Sequence, residues 1–145
     1  MIAEKQAYGF LFSTDKKKLQ IKYIHQFLSE ESYWSKNIPI HIVEKSIEKS
    51  LCFGVFENNC QIGFARVITD FASFGYLADV FIDKDYRGRG LSKELMKFIL
   101  EYPVIKTLRR FMLATKDAHS LYEQFGFHAL NEPTRFMEIK FFDSY

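Results

Sequence analysis

Tyr86-Arg87-Gly88-Arg89-Gly90-Leu91-Ser92 is the stretch on which the reading of this chain turns. It follows an apolar, β-favouring run from Tyr76 to Ile82 and opens a segment in which Leu91, Leu95 and Ile99 recur at helical spacing. A glycine-rich turn between a strand and a helix can cradle a phosphate. Small residues let the backbone approach a bulky anion where a Cβ would collide. The first amides of a helix have no partners inside it, and the aligned peptide dipoles add positive potential there. Arg87 and Arg89 add two full charges. The plainer alternative is a solvated turn with two surface arginines. There is no Gly-Lys-Ser/Thr, and no third glycine or acidic residue placed for a dinucleotide, so neither a P-loop nor a Rossmann turn fits.

Upstream of this turn lie three closely spaced strand signals. Leu51 to Phe56 leads through Glu57-Asn58-Asn59 into Gln61 to Thr69, and the turn Asp70 to Ser73 leads into Gly75 to Ile82. They read as an antiparallel meander. Earlier still, Tyr8 to Ser13 reads as a first strand, and Ser13-Thr14-Asp15 supplies N-cap candidates for a helix from Lys18 to Leu28. A polar break, Ser29 to Pro39, holds the only tryptophan, Trp34, and a second helix runs from Ile40 to Ser50. Downstream come a strand from Arg110 to Thr115, a short helix from Asp117 to Gln124 stopped by Gly126, and two closing strands, Phe127 to Leu130 and Arg135 to Phe142. The order β-α-α-β-β-β-α-β-α-β-β describes an α/β protein: one mixed sheet with helices on its faces.

The 145 residues suit one domain, 1–145, with a real core. A hydrophobic share of 48% and an aromatic share of 17% argue against a disordered chain. The net charge of +2 is too small for a nucleic-acid surface, and the one basic run, Lys16-Lys17-Lys18, reads as a solvated turn before a helix. Cys52 and Cys60 lack metal-ligand spacing and read as buried free thiols of a reducing compartment. No signal-peptide pattern opens the sequence, and no apolar run reaches the roughly 18 residues that a bilayer span needs. The expectation is a cytoplasmic protein with no nucleic-acid, membrane or metal partner.

Two segments together carry a resemblance. Arg87-Gly88-Arg89-Gly90-Leu91-Ser92 is similar to the hallmark of the GCN5-related N-acetyltransferase (GNAT) superfamily: Arg or Gln, two residues, Gly, one residue, then Gly or Ala, between that family's fourth strand and third helix. Ser92 departs from the last position but is small. Ala118-His119-Ser120-Leu121-Tyr122-Glu123-Gln124-Phe125-Gly126-Phe127 resembles the family's Ala-x-x-Leu-Tyr-x-x-x-Gly-Phe, one helix and one strand further on. Thr115 stands where an asparagine is frequent. The resemblance covers nearly the whole chain. It implies the acyl-CoA N-acyltransferase fold: a mostly antiparallel central sheet, splayed between its fourth and fifth strands, with helices on both faces.

It further implies acetyl-CoA as ligand. The pyrophosphate would rest on the amides of Arg87, Gly88, Arg89, Gly90, Leu91 and Ser92. The pantetheine arm would lie along Val80, Phe81 and Ile82 like an added strand, beside a bulge in that strand. Thr115 and Tyr122 would complete the cofactor contacts. The implied reaction is direct transfer of an acetyl group to a primary amine of a small molecule, peptide or protein. Tyr122 matches the family tyrosine that protonates the leaving thiolate; a phenol, with an ordinary pKa of about 10, holds its proton at neutral pH. Asp79, an acid within an apolar strand, needs a partner. It reads either as a base or anchor for the amine, or as the partner of Arg66 or Arg110. His119 reads as solvent-exposed. By family position Tyr33 and Trp34 would wall the acceptor pocket, with Phe71 and Phe74 facing the same cavity. The acceptor is unidentified, and a homodimer is compatible with the resemblance. The alternative is a non-catalytic CoA-binding or ligand-sensing module, against which the retained Tyr122 speaks.

Overall fold

In the computed structural model, which describes residues 1–145, a hairpin opens the chain. Strands β1 (Glu4–Ala7) and β2 (Phe10–Ser13) pair antiparallel around Tyr8 and Gly9, whose φ angles are 53° and 83°. Two positive φ angles in a two-residue turn match the right-handed twist of the flanking strands. Tyr8, expected to begin the first strand, instead opens the turn, and β1 gives no apolar signal because its four residues alternate only between exposed and half-buried. Strands β3 (Leu51–Glu57), β4 (Cys60–Thr69), β5 (Phe74–Ile82) and β6 (Arg110–Leu113) complete a six-stranded sheet in the order β1-β2-β3-β4-β5-β6. All neighbours are antiparallel except β5 and β6.

The helices cover both faces. Helices α1 (Ile21–Gln26), which continues into a π-helical turn at Phe27–Glu31, and α2 (Ile40–Glu48) lie on one face. There Ile24, Phe27, Leu28, Val43 and Ile47 pack with Cys52, Phe64 and Phe81. The amphipathic α3 (Leu91–Glu101), followed by α4 (Pro103–Thr107), covers the other face. Its Leu95, Met96 and Ile99 are buried with Phe53, Val55, Ala65, Val67 and Leu77. Burial on both faces explains why Leu51 to Phe56 is an unbroken apolar run rather than an alternating one. A short α5 (His119–Glu123) follows β6.

One irregularity positions the site. Along β4 and β5, Phe64 pairs with Phe81 and Arg66 with Ala78, so two steps on β4 face three on β5. The extra residue lies at Asp79-Val80, and Asp79 takes φ 54°. The bulge inverts the alternation. Leu77 belongs to the α3 core, whereas Phe81, four residues on, belongs to the α1/α2 core, where it stacks on Phe27 at 3.8 Å. In an unbroken strand both would face the same side. The β5–β6 ladder extends only from Phe74–Arg110 to Leu77–Leu113. Beyond it Ala78–Ile82 is bonded to β4 alone, which is the expected splay.

The two closing strands do not form. Phe127–Leu130 is irregular, and Arg135–Phe142 contributes only the end of a 3-10 turn, Pro133–Arg135, before running on without a ladder. A β-prone segment becomes a strand only when it forms a ladder with an edge, and it forms none with the open outer side of β6. Cys52 is buried, and burial pushes its thiol up to about 12. Cys60 is exposed, contrary to expectation, because it starts β4 at a surface turn. Lys16–Lys18 forms an exposed 3-10 turn before α1. No helix is long and apolar enough to cross a membrane.

Candidate active site

The Arg/Gly turn occupies the end of β5. Asp83 caps a 3-10 turn, Lys84–Tyr86, by accepting from the Asp85 amide at 3.0 Å, and the chain then enters α3 through Gly88 and Gly90. Both glycines are left-handed, with φ 79° and 78°, and a Cβ on either would touch no protein atom. Glycine is required here by conformation rather than by protein packing. No side chain caps α3, so its first amides remain free donors at the positive end of an eleven-residue helix. The arginines are held at the rim: Arg87 Nε donates to the Ile82 carbonyl at 3.0 Å, and the Arg89 guanidinium lies 5.1 Å from the centre of the Tyr86 ring.

Where β5 and β6 part, a cavity of about 620 Å³ opens. Its floor is Tyr76 to Val80, one side is Leu113 to Ala118 with Tyr122, and the opposite wall is Tyr33, Trp34 and Arg66. Asp79 is the knot of this wall. Its Oδ2 accepts from Arg66 Nε at 2.9 Å and its Oδ1 from Trp34 Nε1 at 2.9 Å. Arg66 Nη1 also donates to the buried Ser50 hydroxyl. Of the two arginine partners considered for Asp79, Arg66 is the one that forms. The ring of Tyr33 stands edge-on to Trp34 at 5.0 Å, and its hydroxyl accepts from the Lys116 amide at 3.1 Å. Trp34 thus ties the linker before α2 to β5, while Tyr33 ties it to the loop after β6. Together they strap the diverging strands.

Tyr122 projects from α5 into the same cavity, with its ring edge-on to Phe127. Its hydroxyl makes no hydrogen bond within the protein and is not sealed from the cavity. Burial above all, and then the neighbouring Tyr33 and Asp117, raise its pKa above the usual phenol value. Thr115 Oγ1 accepts from the Ala118 amide at 3.0 Å, which starts α5 and leaves the hydroxyl proton available to a ligand. His119 is exposed.

Phe71 and Phe74 do not reach this cavity. The Asp70 carboxylate accepts from the amides of Ala72, Ser73 and Phe74 and from the Ser73 hydroxyl, bonds that hold its pKa well below the usual range. They organise a tight turn in which Phe71 sits at φ 63° and 52% exposed, with Phe74 40% exposed. Lining residues that the sequence did not single out include Ile68, Tyr76 and Lys116. Alternation along β5 offered a signal for Tyr76. Lys116 contributes its amide, which no side-chain pattern announces.

These features meet a family match. The model of the acetyltransferase (GNAT) family fits residues 21–127. The chain belongs to the GNAT family. A crystal structure from Xanthomonas campestris pv. campestris, described as an acetyltransferase of the GNAT family, is 46% identical, with TM-score 0.88 over 90% of this chain and 92% of that one. An uncharacterised N-acetyltransferase of Prochlorococcus marinus is 33% identical over 86% of this chain and 71% of its own length. An acetyltransferase of Clostridium acetobutylicum, solved with acetyl-CoA, shares the GNAT fold at TM-score 0.65 and 16% identity, over 97% of this chain and 96% of that one.

Proposed function

We propose that this GNAT protein transfers an acetyl group from acetyl-CoA directly to a primary amine, of a small molecule or of a peptide or protein, with Tyr122 as general acid. One observation carries the reading: a phenol with no partner in the protein faces the cavity where β5 and β6 part. The surroundings fit the cofactor. Uncapped amides at left-handed glycines suit a pyrophosphate. The open edge of Val80, Phe81 and Ile82 suits an amide-bearing arm that adds like a strand.

Acetyl-CoA supplies a thioester whose carbonyl carbon a neutral amine can attack. The N–C bond forms as the C–S bond breaks; the amine proton leaves to solvent, and Tyr122 Oη gives its proton to the sulfur and regains one from water. Asp79 has one bond on each oxygen, and a carboxylate has about four acceptor sites, so it can still receive an N–H of the incoming amine. Already committed to Arg66 and Trp34, it suits aligning the amine better than deprotonating it. Trp34 suits a cationic or flat acceptor, while the Tyr33 ring already carries the Lys116 ammonium 5.5 Å from its centre. Holding both reactants in line supplies most of the acceleration.

The test is thiol release from acetyl-CoA against a panel of amines. Replacing Tyr122 with Phe lowers kcat by roughly 10²–10⁴-fold and leaves CoA affinity nearly unchanged; unchanged turnover removes the acid role. The pH profile is a second check. A general acid fails as pH rises through its pKa, and here that pKa is raised. Tyr122 therefore adds no descending limb to kcat below about pH 10. Tight CoA binding without thiol release on any amine would favour a sensing module.

A further inference from the structure

Arg66 has a donor that the fold does not use. Its side chain is only 15% exposed, and it lines the cavity where β5 and β6 part. A guanidinium carries five N–H donors in a planar fork. Nε donates to Asp79 Oδ2 at 2.9 Å and Nη1 to the Ser50 hydroxyl at 3.1 Å. Nη2 makes no hydrogen bond within the protein, and it is not sealed from solvent. Taking the acetyl transfer proposed above as the reaction, we propose that Arg66 Nη2 receives a carboxylate of the acceptor. The acceptor is then a free amino acid with an apolar or aromatic side chain.

The fork fixes where that carboxylate would lie. Nε and Nη2 share one edge of the guanidinium, so the open donors stand next to Asp79, which still has acceptor sites free. A free donor beside a free acceptor complements a carboxylate and an amine carried on one carbon. The amine would align on Asp79, in the cavity that Tyr122 lines, and the carboxylate would sit on Arg66. The buried Ser50 holds the far side of the fork, so little ordering is needed when the acceptor binds. Arginine suits carboxylate recognition better than a point charge does, and hydrogen bonds between charged groups are the strong ones.

Charge across the cavity argues against a polycationic acceptor. Arg66 and Lys116 line it together with Asp79 and Asp117, so the two signs balance. Lys116 forms no ion pair and lies against the Tyr33 ring. A polyamine would need an excess of carboxylates. The remaining wall is apolar. Ile68 projects on the same face of β4 as Arg66, and its partner across the ladder is Tyr76. With Trp34 they form a surface for an aliphatic or aromatic side chain. About 620 Å³ has room for one amino acid beside the acyl end of the donor.

Matched acceptors test this on the unmodified chain. L-Phenylalanine with phenethylamine, and L-leucine with isoamylamine, differ only in the carboxylate. Thiol release from acetyl-CoA should show kcat/KM roughly 10- to 100-fold higher for the amino acid in at least one pair. L-Phenylalaninamide, whose amine is more easily neutral, should gain nothing from that, and spermidine should be poorest. Arg66→Lys keeps a cation beside Asp79 and loses the fork, so the ratio within the pair should fall towards one. A merely structural loss would lower both rates and leave the ratio unchanged. Equal or faster turnover of both decarboxylated amines, or of spermidine, overturns the assignment, as does a ratio that Arg66→Lys does not move. Calorimetry on the CoA-loaded protein keeps the carboxylate site distinct from the reaction. Preferential binding of the amino acid, lost in Arg66→Lys, without thiol release on any amine would uphold the site and remove the transfer. Equal binding within both pairs would overturn the site whatever the turnover.

Discussion

Six consecutive residues, Arg87 to Ser92, form the turn between β5 and α3 that we propose as the phosphate cradle. The wall of the cleft takes Tyr33 and Trp34 from the linker before α2, Arg66 from β4, Asp79 from β5 and Lys116 from the loop after β6. The cradle works through backbone: two left-handed glycines and the free amides of α3, with nothing packed where a Cβ would be. The wall works through side chains that hold each other across the fold. Residues at the cradle therefore answer mainly to the ligand. Those at the wall answer to folding as well, so the wall cannot be altered without disturbing the strap that joins β5 to the loop after β6.

The sharpest way to break this contrast is at Asp79. Asp79→Ala leaves the Arg66 charge largely buried without its partner, a loss of about 3–5 kcal/mol in stability. It also places a residue with a Cβ but no local hydrogen bonds at φ 54°. Asp79→Gly, equal in lost charge but free in φ, should recover about 1–2 kcal/mol of that. Urea titration of the two variants separates ion pair from backbone strain. If Asp79→Ala unfolds like the parent, the wall is no structural knot and the contrast fails.

Gly90 gives the next largest effect, in the opposite currency. Ala at φ 78° costs about 1–2 kcal/mol, and the turn can shed that cost by changing conformation. The expected result is roughly tenfold weaker CoA binding by calorimetry, with Asp79 and its partners undisturbed. Acceptor KM should stay near the parent value. A rise in acceptor KM without loss of CoA affinity would join the two ends that the structure keeps apart.

The same division explains what could be read from the chain beforehand. The turn, its helix and Tyr122 with Gly126 and Phe127 are contiguous patterns, and their places follow from local spacing. The meander and both central helices were legible because their apolar residues recur with the right period. Arg66, Trp34 and Asp79 meet only because one extra residue in β5 turns the strand, and no alternation in Tyr76–Ile82 shows which residue is extra. Phe71 and Phe74 were misplaced because the Asp70 bonds direct their turn outward. Arg135–Phe142 carries a genuine strand pattern, and what it lacks is a ladder to the open edge of β6. Pattern states what a segment is suited to; only the assembled molecule states what is beside it.

Trp34→Phe should have the smallest effect and discriminate most finely. Phenylalanine keeps a ring against Tyr33 and removes one donor, so Asp79 Oδ1 loses its 2.9 Å bond while Oδ2 keeps Arg66. Trp34 is 40% exposed, and water can reach the vacated oxygen, which limits the stability loss to about 0.5–1.5 kcal/mol. The consequence for function is directional. Without the tryptophan the carboxylate turns more freely about its remaining partner, and an amine aligned on it should show a several-fold higher KM, with CoA affinity and the alkaline arm of kcat unchanged. A double-mutant cycle with Asp79→Gly should return a coupling of about 1 kcal/mol in acceptor kcat/KM, because each substitution removes one end of the same bond. If Trp34→Phe weakens CoA and spares the amine, the aromatic wall serves the donor, and the boundary between the two ends moves to the far side of Asp79.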